Sequence, residues 1–131
     1  MSNTPVSLLA GAALGVVTAE PVRRAGGRIP VIGAGVGLVT AAVIYPAARR
    51  EHPVSKGLVV EAAVVTGAAV LAAVAAKGSP ATGRRLLALG WASHALFDFG
   101  QGPSRDSRLP SWYAPVCAGY DVAFAGQLLR G

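Results

Sequence analysis

Residues 57–76 read GLVVEAAVVTGAAVLAAVAA, twenty positions with one ionisable residue, Glu61. A helix of that length, rising about 1.5 Å per residue, covers about 30 Å, the thickness of a bilayer's hydrocarbon core. The apolar residues are continuous rather than alternating, so the run does not fit a lipid-facing barrel strand. Ala, Gly and Val dominate it, the composition of helices that approach closely in lipid. The segment therefore reads as a membrane span.

Working outward, four more apolar segments follow the same pattern: Pro5 to Ala19, Ile29 to Ala48, Leu86 to Gly100 and Trp112 to Leu129. The first and fourth are short for a span and would rely on flanking residues or local thinning. Breakers separate the runs: Pro21 with Gly26 and Gly27, Pro46 and Pro53, Gly78-Ser79-Pro80, and the stretch Gln101 to Ser111 with Gly102, Pro103 and Pro110. The N-terminal run lacks the basic stretch of a signal peptide and is expected to be a retained span. The predicted architecture is all-α: one polytopic transmembrane helix bundle over residues 1–131 in the cell membrane. Five spans are preferred. The alternative is four, with the first segment lying in the interface or the fourth re-entrant.

Composition supports this. The chain is 53% hydrophobic and 14% charged, well short of the roughly 25% charged residues of a soluble domain. The net charge of +6 comes from Lys and Arg clustered between the apolar runs. That is where a membrane protein meets lipid headgroups, and it argues against nucleic acid as a partner. Membrane lipid is the expected partner, and a homo-oligomer is compatible with so few helices. With five spans, the side holding the N-terminus carries Arg49, Arg50, Lys56, Arg105 and Arg108. The other side carries Arg23, Arg24, Arg28, Lys77, Arg84, Arg85 and Arg130, a slight excess. Cys117 is the only cysteine, so neither an internal disulfide nor a multi-cysteine metal site can form.

The informative residues are those a lipid span should not contain. Ionisable groups at membrane depth are costly and usually face the bundle interior. Here they are Glu61, His94, Asp98 and Asp121. His94 and Asp98, four apart in WASHALFDFG, share a helix face with Trp91 one turn earlier. Tyr113, Cys117 and Asp121 form a second stripe along the next helix. Counting residues from the shared loop places His94 level with a point between Cys117 and Asp121, and Asp98 nearer Tyr113. Glu61, Tyr45 and His52 fall on the same side, so all four ionisable residues are expected in one half of the bundle.

One His among several buried carboxyls suits proton chemistry. Burial and proximity separate the proton affinities of neighbouring carboxyls, so one can act as acid while another is ionised. The expected site has Asp98, Asp121, His94 and Glu61 as catalytic groups. Trp91, Tyr113, Cys117 and Tyr120 line a cavity for an apolar substrate. Isomerisation, cyclisation or epoxide opening of an isoprenoid- or lipid-like molecule fits, with no cofactor. Two other readings stay open: a non-enzymatic scaffold or transport-associated subunit, and a divalent metal held by the same His and carboxylates. The run Gly33-Ala-Gly-Val-Gly37 has no preceding strand and reads as small-residue packing rather than a dinucleotide loop.

Glu61, Gly90, His94, Asp98, Trp112, Pro115, Cys117 and Asp121 together resemble the signature of a family of small, uncharacterised bacterial multi-span membrane proteins. Its pattern is a Glu in one span, Gly-x3-His-x3-Asp in the next, and Trp, Pro, Cys and Asp in the last. The resemblance covers about half the chain. It implies a multi-span protein with these residues as its hallmark, and it implies no activity.

Overall fold

A computed structural model describes residues 3–130. Five α-helices follow one another: α1 (Thr4–Arg24), α2 (Ile29–Ala47), α3 (Lys56–Lys77), α4 (Pro80–Gly100) and α5 (Tyr113–Arg130). Among the described residues there is no strand, only an isolated bridge pairing Arg49 with Ser107. Three helices, α1 to α3, are long and apolar enough to cross a membrane.

Local chemistry explains the boundaries. Ser55 and Ser79 cap α3 and α4, their hydroxyls accepting from the amides of Leu58 and Thr82, each at 3.2 Å. Prolines occupy the first turns of α1, α2 and α4, where a missing N–H costs nothing. Gly102, at φ 64°, ends α4 with its amide bonded to Phe97 O.

Two helices are longer than expected. α1 runs past Pro21, which sits in its last turn. α4 begins at Pro80 rather than Leu86, because Ser79-Pro80 starts a helix here as well as ending the preceding run. The added turns bring Arg84 inside the bundle, not to a headgroup position. Its Nη2 donates to Val22 O at 2.7 Å and Ala25 O at 2.6 Å, satisfying carbonyls at the end of α1.

The helices alternate in direction, so α1 and α5 run parallel. Their contact is backbone on backbone: a Cβ at Gly119 would lie 2.1 Å from Leu8 O, and one at Gly11 1.9 Å from Val116 O. α5 also packs on α4, and α2, α3 and α4 pack together. In the glycine run of α2, Gly35 faces Ala72 and Gly37 faces the Trp91 indole, which is packing as expected.

The interior is rich in alanine and carries several polar groups. Buried positions include Ala19, Ala34, Ala42, Ala75 and Ala118, whereas Leu9, Val17, Ile29, Val54 and Leu96 are exposed. Many large apolar side chains therefore face outward, beside a core that also holds Leu38, Leu87, Trp91, Phe124 and Leu128.

Candidate functional site

The loops after α2 and after α4 lie at the same end of the bundle. Arg50 N donates to Asp106 O at 3.2 Å, and Arg108 N to Ala48 O at 2.8 Å. Beneath this clasp the C-terminal halves of α2 and α4 meet the N-terminal halves of α3 and α5. Every buried acidic residue lies there: Glu61, Asp98 and Asp121, each at most 2% exposed.

His94 and Asp98, one turn apart on α4, turn toward Asp121 on α5. His94 Nδ1 lies 3.0 Å from Asp121 Oδ2 and 3.5 Å from Asp98 Oδ2. One ligand-type atom from each of the three lies within 4.8 Å of the others. The Tyr45 hydroxyl, from the end of α2, donates to Asp98 Oδ1. The result is a buried chain of polar groups, Tyr45–Asp98–His94–Asp121, drawn from three helices. Two atoms in it, His94 Nε2 and Asp98 Oδ2, have no hydrogen-bond partner. Buried polar atoms are normally satisfied, so these two call for an explanation.

Glu61 does not join this chain. Its Oε1 accepts from Arg49 Nε at 2.6 Å, with the carboxylate 1% and the guanidinium 10% exposed. Arg49 was expected at the headgroups and Glu61 in the site. Instead they close an ion pair across the loop, because an unpaired buried carboxylate is costly and Arg49 is the cation within reach. Its hydrogen bond to Glu61 holds the Arg49 guanidinium above its usual pKa. Asp106, 3.8 Å from Arg49 Nη1, is held below the usual carboxylate range, chiefly by the Ser104 hydroxyl, with the Glu51 amide and Arg49 adding to it. His52 stays outside and exposed, its Nε2 against Pro46 O at 2.9 Å.

A crevice of about 300 Å³ opens between α3 and α4 beside His94. Leu38, Val64, Gly67, Leu71 and Phe97 are among its walls, with Ser93 and His94 as its polar residues. The aromatic residues expected to line a cavity lie elsewhere. Trp91, Tyr120 and Phe124 stack among themselves, with centroids 4.8 to 5.8 Å apart. The Trp91 indole N–H donates to Ala34 O at 3.2 Å, and Tyr120 Oη accepts from Thr18 Oγ1 at 2.7 Å. Tyr113 packs edge-on against Tyr45, centroids 6.0 Å apart, and Cys117, one turn further along α5, is half-buried. None of Trp91, Tyr113, Cys117 and Tyr120 is among the walls of the crevice; the polar ends of Trp91 and Tyr120 are held by partners elsewhere.

Two residues of the polar half were not singled out as site residues in the sequence: Tyr45 and Arg49. Tyr45 carried a signal, a lone polar side chain at the end of an apolar run, on the same side as Asp98. Arg49 carried none, since it looks like any loop arginine.

In comparisons with known proteins, no family model, no curated protein and no solved structure matches the chain.

Proposed function

We propose that the chain is a five-span protein of the cell membrane whose polar half is an acid–base site acting on an apolar, isoprenoid- or lipid-like substrate. The observation that carries this reading is His94. One ring nitrogen is set against two buried carboxyls, the other is unpartnered, and the residue forms part of an apolar crevice. Outward-facing Leu, Val and Ile on all five helices support the membrane assignment.

The chemistry is proton transfer. In an isomerisation or cyclisation, the site adds a proton to one carbon of a double bond and removes one from another carbon, leaving the formula unchanged. In an epoxide opening, the oxygen is protonated and water adds across the broken C–O bond. His94 delivers or collects the proton, Asp121 and Asp98 hold the complementary one, and Tyr45 orients Asp98. With a His and two carboxyls this close, an acid and a base are both at hand in one site. The apolar surroundings strengthen each interaction.

A divalent metal is the second reading, because the atoms of His94, Asp98 and Asp121 are close enough to share one ion. Two features weigh against it. Glu61 is committed to Arg49. A ligating His also normally donates its other ring N–H to a carboxylate or carbonyl, and Nε2 has no such partner.

The test is to purify the protein, assay it in lipid nanodiscs against apolar lipid extracts, and compare wild type with His94→Gln and Asp121→Asn by mass spectrometry. Products of unchanged mass or a gain of one water, lost in both variants, are expected. Stoichiometric metal in the purified protein would overturn the reading in favour of a metal centre. The absence of both metal and product would leave a scaffold.

A further inference from the structure

The crevice beside His94 specifies its occupant more narrowly than "apolar". Along α3 it runs from Val64 to Leu71 and along α4 from Leu89 to Phe97, which is about 10 to 12 Å at the helical rise. Its volume of about 300 Å³ is about twice the ~150 Å³ of an engineered cavity that holds benzene, so about a dozen carbon atoms fill it. Length and volume agree. The walls are aliphatic and aromatic apart from Ser93 and His94, so a charged ligand would enter without compensation. His94 is 4% exposed and its Nε2 is unpartnered. A ligand oxygen at that point would satisfy it.

The opening has a defined position. Gly90 packs against Leu71, and α3 and α4 are antiparallel. Moving four residues along each helix brings Gly67 level with His94. Gly67 is exposed, and a Cβ built there meets nothing within 4 Å. The crevice is therefore open to the outside of the bundle beside His94, where the surroundings are lipid if α3 and α4 span the bilayer.

The geometry points to lateral loading, from the lipid between α3 and α4, of a neutral aliphatic or isoprenoid molecule. About ten to twelve of its carbons lodge in the crevice, and its single oxygen function (alcohol, epoxide or carbonyl) bonds to His94 Nε2. This rests on the acid–base reading of the same site. Gly67 is the specificity-determining position, since its missing side chain is what leaves the door open.

The chain has two histidines, His94 and exposed His52, so ¹⁵N-histidine labelling in nanodiscs gives one reporter and one internal control. The probe is 1-decanol, compared with n-decane and 1-hexadecanol. We expect a saturable shift of the His94 Nε2 resonance with 1-decanol, a much smaller one with decane, weaker binding of the hexadecyl alcohol, and no change at His52. Gly67→Phe should weaken 1-decanol binding about tenfold or more, about 1.4 kcal/mol or above. Gly67→Ala should weaken it less. Both should keep wild-type helical content, because the added atoms enter open space and glycine is a poor helix former.

A His94 signal still coupled to Asp121 but indifferent to 1-decanol would overturn the lateral-crevice inference and leave the acid–base reading standing. Equal binding to wild type and a folded Gly67→Phe would also overturn it. A His94 that titrates independently of Asp121 would instead overturn the underlying reading.

Discussion

Replacing Arg49 with Met tests whether the polar half is divided as described. The Glu61 carboxylate is 1% exposed and its partner lies at 2.6 Å. Removing the guanidinium strands a buried charge, a change that typically costs about 3–5 kcal/mol. The reverse deletion is milder. In Glu61→Gln the amide oxygen still accepts from Arg49, and the guanidinium keeps Asp106 at 3.8 Å and some solvent contact, so about 1–2 kcal/mol is expected from loss of a charged hydrogen bond. The double variant Arg49→Met/Glu61→Gln carries no stranded charge and should regain much of the loss. The assay is SDS-induced unfolding from lipid–detergent micelles, followed by fluorescence of buried Trp91 against exposed Trp112. If Arg49→Met unfolds like wild type, Glu61 is not locked by Arg49. It would then be free to join His94, and the division would be refuted.

Three further outcomes follow from the geometry. Gly11→Val and Gly119→Val place a Cβ against a carbonyl of the facing helix, so each should separate α1 from α5 at the upper end of the ~1–3 kcal/mol cost of overpacking or beyond; the same unfolding assay reads it. Tyr45→Phe removes the donor to Asp98 and should cost about 1–3 kcal/mol while altering the His94 titration measured by ¹⁵N NMR; an unchanged titration would detach Tyr45 from the site. Asp106 is held below the usual carboxylate range, so its contribution to the loop clasp is present above the unfolded value of about 3.9 and fades as pH falls through the lower folded value. The protection factor of the Glu51 amide, which donates to Asp106 Oδ2 at 3.2 Å, should fall in acid once the intrinsic slowing of exchange is corrected for, and Asp106→Asn should remove that pH dependence.

The sequence made the convergence of His94 and Asp121 legible because antiparallel helices joined by one loop can be compared by counting residues outward from it. The structure puts the two side chains 3.0 Å apart. α2 and α3 were legible to within a residue or two, being uniformly apolar between clear breakers. α4 was not, because Thr82, Gly83, Arg84 and Arg85 dilute its first turns. Its start is set by the Ser79-Pro80 cap, a signal that reads equally well as the end of the preceding run, and the burial of Arg84 against the end of α1 is a tertiary contact that no local pattern reveals. The Arg49–Glu61 pair was hidden for the same kind of reason: a loop arginine looks identical whether it meets headgroups or folds back onto a carboxylate. The roles of Trp91 and Tyr120 depended on which backbone carbonyl or hydroxyl lay within reach, and periodicity does not encode that. The crevice arose from an absence at Gly67, which in a helix of small residues carries no signal of its own.

The measurement closest to the central claim is the pH titration of His94 by ¹⁵N NMR in lipid nanodiscs, in wild type and in Asp121→Asn. An acid–base site built from His94, Asp98 and Asp121 predicts a multi-step curve for His94 that simplifies when Asp121 is neutralised, with His52 unaffected. A single-step His94 curve, identical in both proteins, would contradict it.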